Sequence, residues 1–146
     1  MRGNVFQTSI DHLNIEPHPH LVVLISGKQC FVVPAYTPGR YKITQKIESL
    51  KKQGHREDQL CVHMDNARYM VNCAPSFRPH EAIWFTWESY MAPKKTFDAL
   101  WPVGEMNAEG LDIIARGILR VQETRPDILV EKHVEQVKDW LIPDPF

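Results

Sequence analysis

The sequence predicts an α+β protein, a small and strongly bent antiparallel sheet or barrel followed by helices. Three observations carry this. Short apolar, β-branched runs separated by turn residues fill about residues 17–92; from about residue 105 the apolar spacing changes to helical; and the strand–helix alternation of a doubly wound parallel sheet is missing. A Gly-rich phosphate loop of the G-x-G-x-x-G or G-x-x-x-x-G-K type is also missing, so no nucleotide cofactor is expected.

Each element has its own signal. Residues 1–20 show little periodicity, and Pro17-His18-Pro19-His20 forces an extended approach because proline disfavours helix in the residue before it, so a loop or edge strand is expected. Leu21–Ile25 and Cys30–Val33 flank the turn residues Ser26-Gly27-Lys28-Gln29 and read as a hairpin. Ile43, Ile47 and Leu50 recur at i, i+4, i+7 ahead of Gly54, which predicts a short amphipathic helix over Lys42–Gln53, inserted between strands. Leu60, Val62 and Met64 alternate with Cys61 and His63, and the run Arg68–Asn72 beyond Asp65-Asn66 suggests a second hairpin. Ala82–Trp87 alternates Ile83, Phe85 and Trp87 with Trp84 and Thr86, a fifth strand. Leu111, Ile114, Ala115 and Ile118 then take helical spacing behind Asn107 as N-cap. A second helix is expected after Thr124-Arg-Pro-Asp127, with Val130, Val134, Val137 and Leu141 on one stripe and Pro143 ending it. That narrow stripe suggests self-association through this last helix.

A chain of 146 residues fits one domain, a sheet part over about 17–92 and a helical part over about 105–142, and is long enough to bury a core without disulfide or metal. Apolar residues at 43% and charged residues at 24% argue against disorder. The longest apolar run, Leu21–Ile25, falls far short of the roughly 20 residues a spanning helix needs. With 17 basic against 18 acidic residues, net charge −1, any nucleic-acid contact requires a local patch. Three cysteines, an odd number, and no visible signal peptide imply reduced thiols and a cytoplasmic setting.

The candidate chemistry is sparse. His18-x-His20 and Cys61-x-His63 each put two ligand types on one face of an extended segment, and Cys73 and His80 could join them. Structural zinc shows compact C-x₂₋₄-C or H-x₃₋₅-H pairs and none exists here, so no metal is expected. Cys30 and Cys61 lie in apolar strand patterns as small hydrophobes, and only Cys73 looks placed on a loop. Thr37-Pro38-Gly39-Arg40, directly after a strand, carries a hydroxyl and a guanidinium where scaffolds place binding groups. Arg40 could clamp a phosphate, and His18 or His20 could exchange protons near neutral pH, a grouping suited to metal-independent RNA cleavage. The plain alternative is a turn with an exposed arginine. Trp84, Trp87, Tyr90 and Trp101 could stack bases, with core packing expected for at least two of them.

Pro19-His-Leu-Val-Val-Leu-Ile25 followed by Phe31-Val-Val-Pro-Ala-Tyr-Thr37 resembles the opening of PemK/MazF-like toxins. Cys73, His80-Glu-Ala-Ile83 and Ser89-Tyr90 are similar to a segment of divergent members, and Val103-Gly104-Glu-Met-Asn107 running into Leu111–Val121 is similar to their closing helix. The resemblance spans about residues 17–121. It implies an SH3-like barrel of about five strands with an inserted short helix and two C-terminal helices, a homodimer, and an endoribonuclease toxin cutting single-stranded RNA and paired with an antitoxin. Within it Thr37 maps directly, Arg40 is a displaced substitute, and His18 or His20 stands where the family has an arginine; His80 joins them as an acid–base candidate. Those departures leave a second expectation, a catalytically inactive barrel that binds a protein partner in a toxin–antitoxin, defence or phage system.

Overall fold

The computed structural model describes residues 1–8 and 18–144; the Pro17 of the expected extended approach lies outside them. The strands are β1 (Asn4–Thr8), β2 (His18–Ser26), β3 (Gln29–Tyr36), β4 (Val62–Asp65), β5 (Met70–Val71), β6 (Glu81–Trp84), β7 (Tyr90–Pro93) and β8 (Gly104–Met106). The helices are α1 (Tyr41–Lys52), α2 (Asn66–Tyr69), α3 (Lys94–Asp98), α4 (Ala108–Thr124) and α5 (Glu131–Lys138), with single 3₁₀ turns at Glu57–Gln59 and Thr86–Glu88.

The α+β class stands, with eight strands among the described residues where about five were expected. All pair antiparallel in one curled sheet of order β4-β6-β3-β2-β1-β8-β5, with β7 also on β3. The two ends of that order, β4 and β5, are consecutive in the chain and joined only by the single turn of α2, so the sheet curls back toward its own start. The curl has two visible causes. A bulge shifts the β2–β3 register between Val22 and Leu24, and one edge of β3 is shared, Gln29–Val32 pairing β7 and Ala35–Tyr36 pairing β6.

The β2–β3 hairpin forms as expected, with Gly27 at φ +60° in the two-residue turn, a conformation glycine adopts without a Cβ penalty. Within residues 1–20 the described part is corrected. β1 is no edge strand, because it lies between β2 and β8. The second hairpin is also corrected. The Asp65 carboxylate accepts from the Ala67 amide at 3.0 Å and caps α2, so residues 66–69 turn as helix; β4 then pairs β6, and β5 pairs β8. The expected strand over Ala82–Trp87 stops at Trp84, where a 3₁₀ turn intervenes before β7.

The inner face of the sheet supplies the main core. Leu21, Val23, Leu24, Phe31, Val33, Ala35, Met64 and Trp84 meet Ile114, Ala115 and Ile118 of α4. Trp84 is fully buried, and its indole N–H donates to Asn66 Oδ1 at 3.0 Å, which satisfies both buried polar groups. The Asn107 side chain caps α4 through the Gly110 amide at 2.9 Å. On the outer face Phe6, Val22, Cys30, Val32 and Ala92 pack on Phe97 of α3, while Ile83 and Phe85 pack on Ile43 and Ile47 of α1.

The last helix begins later than expected, at Glu131 with Val130 as N-cap. Apart from Val130, which is exposed, its stripe faces inward. Val137 is fully buried, and Val134, Trp140 and Leu141 pack with it against the main core. No helix among the described residues is long and apolar enough to cross a membrane.

Candidate functional site

The candidate site grows from the end of β3. Thr37 leads into a turn in which the Arg40 amide donates to the Thr37 carbonyl at 3.4 Å, with Pro38 at the second position and Gly39 at φ +82° at the third, the requirement of a type II turn. Arg40 is the N-cap of α1, and no side chain caps the amides of that helix's first turn, so they and the helix dipole face the turn. Thr37, Arg40 and Lys42 are exposed, and neither cation makes an ion pair or side-chain hydrogen bond among the described residues.

The pairing register gathers other residues at this same end of the sheet. β6 runs against β3 with Tyr36 opposite Ile83, so residues before Glu81 lie beside the Thr37–Arg40 turn. A shallow open groove confirms the neighbourhood, being lined by Pro38 from the turn with His63, Met64 and Asp65 of β4 and Glu81 and Ala82 of β6. His80 is exposed there. Its Nδ1 lies 2.6 Å from the Glu81 carbonyl, which can only accept, so Nδ1 carries the proton and Nε2 is left as the basic nitrogen. Arg78, two residues earlier, is exposed and also without an ion-pair partner among the described residues.

His18 and His20 are brought to this end, but not to its surface. His20 is 0% exposed and His18 8% exposed, on the outer face of β2. The His18 ring stacks on Tyr36 with centroids 4.7 Å apart and lies 4.5 Å from the His20 ring. His20 Nδ1 donates to the His18 carbonyl at 2.9 Å, and in the neutral ring Nε2 accepts from the Tyr90 hydroxyl at 3.1 Å. Both nitrogens of His20 are engaged and no solvent reaches the ring, so the expected proton exchange with a substrate is corrected to a structural role. The alternation that set both histidines on one face was right; that face is covered.

The thiols are equally inward. Burial pushes Cys30 above its ordinary value, and burial, with Glu57 adding, pushes Cys61 up to about 11. Cys61 Sγ lies 3.8 Å from His63 Nε2, yet a thiol so raised carries almost no thiolate at neutral pH. Among the described residues no three His, Cys, Asp or Glu side chains converge on a point where a metal could sit.

Reasoning from sequence missed Arg78. Its one local signal is Arg78-Pro79-His80 ahead of a strand, and only the β3–β6 pairing, made across more than 40 residues of chain, brings it to Arg40's end of the sheet. The molecule is thus a curled antiparallel sheet with exposed cations that have no ion-pair partner among the described residues, a hydroxyl and an exposed imidazole at one end. No protein-family model matches this chain, and no curated protein matches it.

Proposed function

We propose that the protein is a metal-independent endoribonuclease of the PemK/MazF-like toxin type, built on an SH3-like barrel, cutting single-stranded RNA in the cytoplasm as a homodimer and restrained by an antitoxin. The observation that carries the reading is that Thr37, Arg40, Arg78 and His80 lie at one end of the sheet, where the Thr37–Arg40 turn leads into the uncapped first turn of α1. Guanidinium groups and helix amides are what a phosphodiester requires.

In this mechanism His80 Nε2 takes the proton of a ribose 2′-hydroxyl, and the 2′-oxygen attacks the adjacent phosphorus. Arg40 and Arg78 stabilise the charge gathering on the pentavalent phosphate, and Thr37 orients a non-bridging oxygen. The bond from phosphorus to the 5′-oxygen breaks, that oxygen takes a proton from water, and a 2′,3′-cyclic phosphate remains. His18 acts only by stacking on Tyr36, the residue before Thr37, and His20 only by backing the His18 ring.

The test uses purified protein and a broad pool of single-stranded RNA in chelator. Cleavage leaving 2′,3′-cyclic phosphate ends is expected, with Arg40→Ala and His80→Ala each slowed by about 10²–10³-fold. Activity unchanged in both variants would move the site elsewhere. One observation favours the second reading, the catalytically inactive barrel that binds a protein: Asp65 and Glu81, directly opposite each other on β4 and β6, put two carboxylates in the groove beside Pro38, where they repel a phosphate chain. Intact RNA across the pool selects that reading.

A further inference from the structure

Trp101 is 91% exposed, immediately ahead of β8. The other candidate aromatics are used within the fold. Trp84 is buried, Trp87 lies against His55 and under the Arg125 guanidinium, Tyr36 stacks on His18, and Tyr90 donates to His20. An indole with both faces in water is costly to solubility and contributes nothing to this chain's own packing.

Its place in the topology says what it faces. β8 runs against β1 with Val5 opposite Gly104 and Asn4 opposite Glu105, and the Val103 amide donates to the Val5 carbonyl at 2.8 Å. Residues ahead of Gly104 therefore enter from the Thr8 end of β1. Thr8 pairs His18, and His18 stacks on Tyr36, the neighbour of Thr37. Trp101 thus stands at the end of the sheet that carries Arg40, Arg78 and His80. The interval from β8 across β1 and β2 to β3 is three strand spacings, roughly 14 Å, a distance a few nucleotides span.

From this we infer that Trp101 is a base-stacking contact for single-stranded RNA whose phosphate is held at Arg40, an inference that rests on the proposed nuclease reading. Every base offers a face to an indole, so the contact holds a strand without choosing its sequence. It is a binding residue and takes no part in the bond changes. A protein partner is the alternative occupant, but the unpaired cations of the same end match a polyanion.

The test measures binding of a fluorescein-labelled random 12-nucleotide RNA by anisotropy, together with quenching of the protein's tryptophan emission. Wild type is expected to bind with quenching; Trp101→Ala weakens binding about tenfold and removes most of the quenching, while Trp101→Phe restores most of the affinity. Melting temperatures of both variants should equal wild type, since the ring packs on nothing. If wild type binds, Arg40→Ala weakens it and Trp101→Ala does not, the stacking contact is wrong and the nuclease reading stands. If no RNA binds at all, both are wrong. If RNA binding is intact in Trp101→Ala while self-association seen by light scattering is lost, the ring belongs to a protein interface.

Discussion

Asp112 shows how much one side chain can hold. Its carboxylate accepts from the Ile142 amide at 2.7 Å and from Arg116 Nε at 3.1 Å, and Arg116 in turn donates to the Ile142 carbonyl at 3.0 Å. The two side chains on α4 thereby satisfy both backbone groups of a residue past α5. Burial pushes the Asp112 carboxyl up, but the Ile142 amide and the Arg116 guanidinium together outweigh it and leave it below its ordinary 3.8. A depressed carboxyl contributes stability that is fully present above the ordinary value and is lost as pH falls through the folded one. Asp112→Asn should therefore destabilise by about 1–2 kcal/mol in urea at neutral pH. The gap between wild type and variant should hold down to roughly pH 4 and close in stronger acid. A gap that persists undiminished near pH 2 would mean the carboxylate's charge is not what matters.

At the scale of elements, α4 and β4 approach so closely that one position decides the contact. A Cβ at Gly117 would meet Val62 Cγ2 at 2.7 Å and Thr86 Cγ2 at 3.3 Å. Both belong to β-branched side chains with little rotamer freedom, so neither can step aside. Alanine in a helix interior gains up to about 1 kcal/mol over glycine, and overpacking costs about 1–3 kcal/mol, so the clash wins. Gly117→Ala should lower the melting temperature by several degrees, and Gly117→Ala with Val62→Ala should recover part of the loss. A more stable single variant would show that α4 can shift away from the sheet. The β2–β3 hairpin, α1 and the Asn107 cap of α4 follow from local spacing and turn chemistry. β1, β7 and β8 are three to five residues long, too short for a period, and the pairings of β4 with β6 and β5 with β8 depend on partners far along the chain. The site divides in the same way. Thr37 and Arg40 are readable because Pro38-Gly39 directly after a strand announces a turn, and Trp101 is readable as an aromatic but not as a neighbour of that turn; its place and Arg78 need the direction of β8 and β6, and the burial of His18 and His20 needs the side chains that cover the outer face.

At the scale of the whole molecule, the two termini of the described chain are bound into one unit, and this changes what the last helix can do. Arg2 Nε donates to the Val23 carbonyl at 2.7 Å, its other end donates to the Gln136 carbonyl, and its guanidinium lies 4.6 Å above the Trp140 ring. A single arginine therefore ties the approach to β1, the bulged region of β2 and the end of α5, while the Asp112–Arg116 pair holds Ile142 just beyond. Of the stripe Val130, Val134, Val137 and Leu141 that suggested a dimer helix, the last three pack on the chain's own core, with Val137 at 0% exposure, and only Val130, at 56%, stays exposed. The homodimer of the proposed function would use a surface other than these buried side chains. Replacing Val134 and Val137 together by lysine puts two ammonium groups into the apolar packing of the main core, one of them at a fully buried position, which costs more than about 4 kcal/mol, a large part of the 5–15 kcal/mol that holds such a domain together. The double variant should lose its near-ultraviolet circular dichroism and cooperative melting at every protein concentration. A variant that keeps both while sedimenting at half the wild-type mass would instead return α5 to an interface between copies.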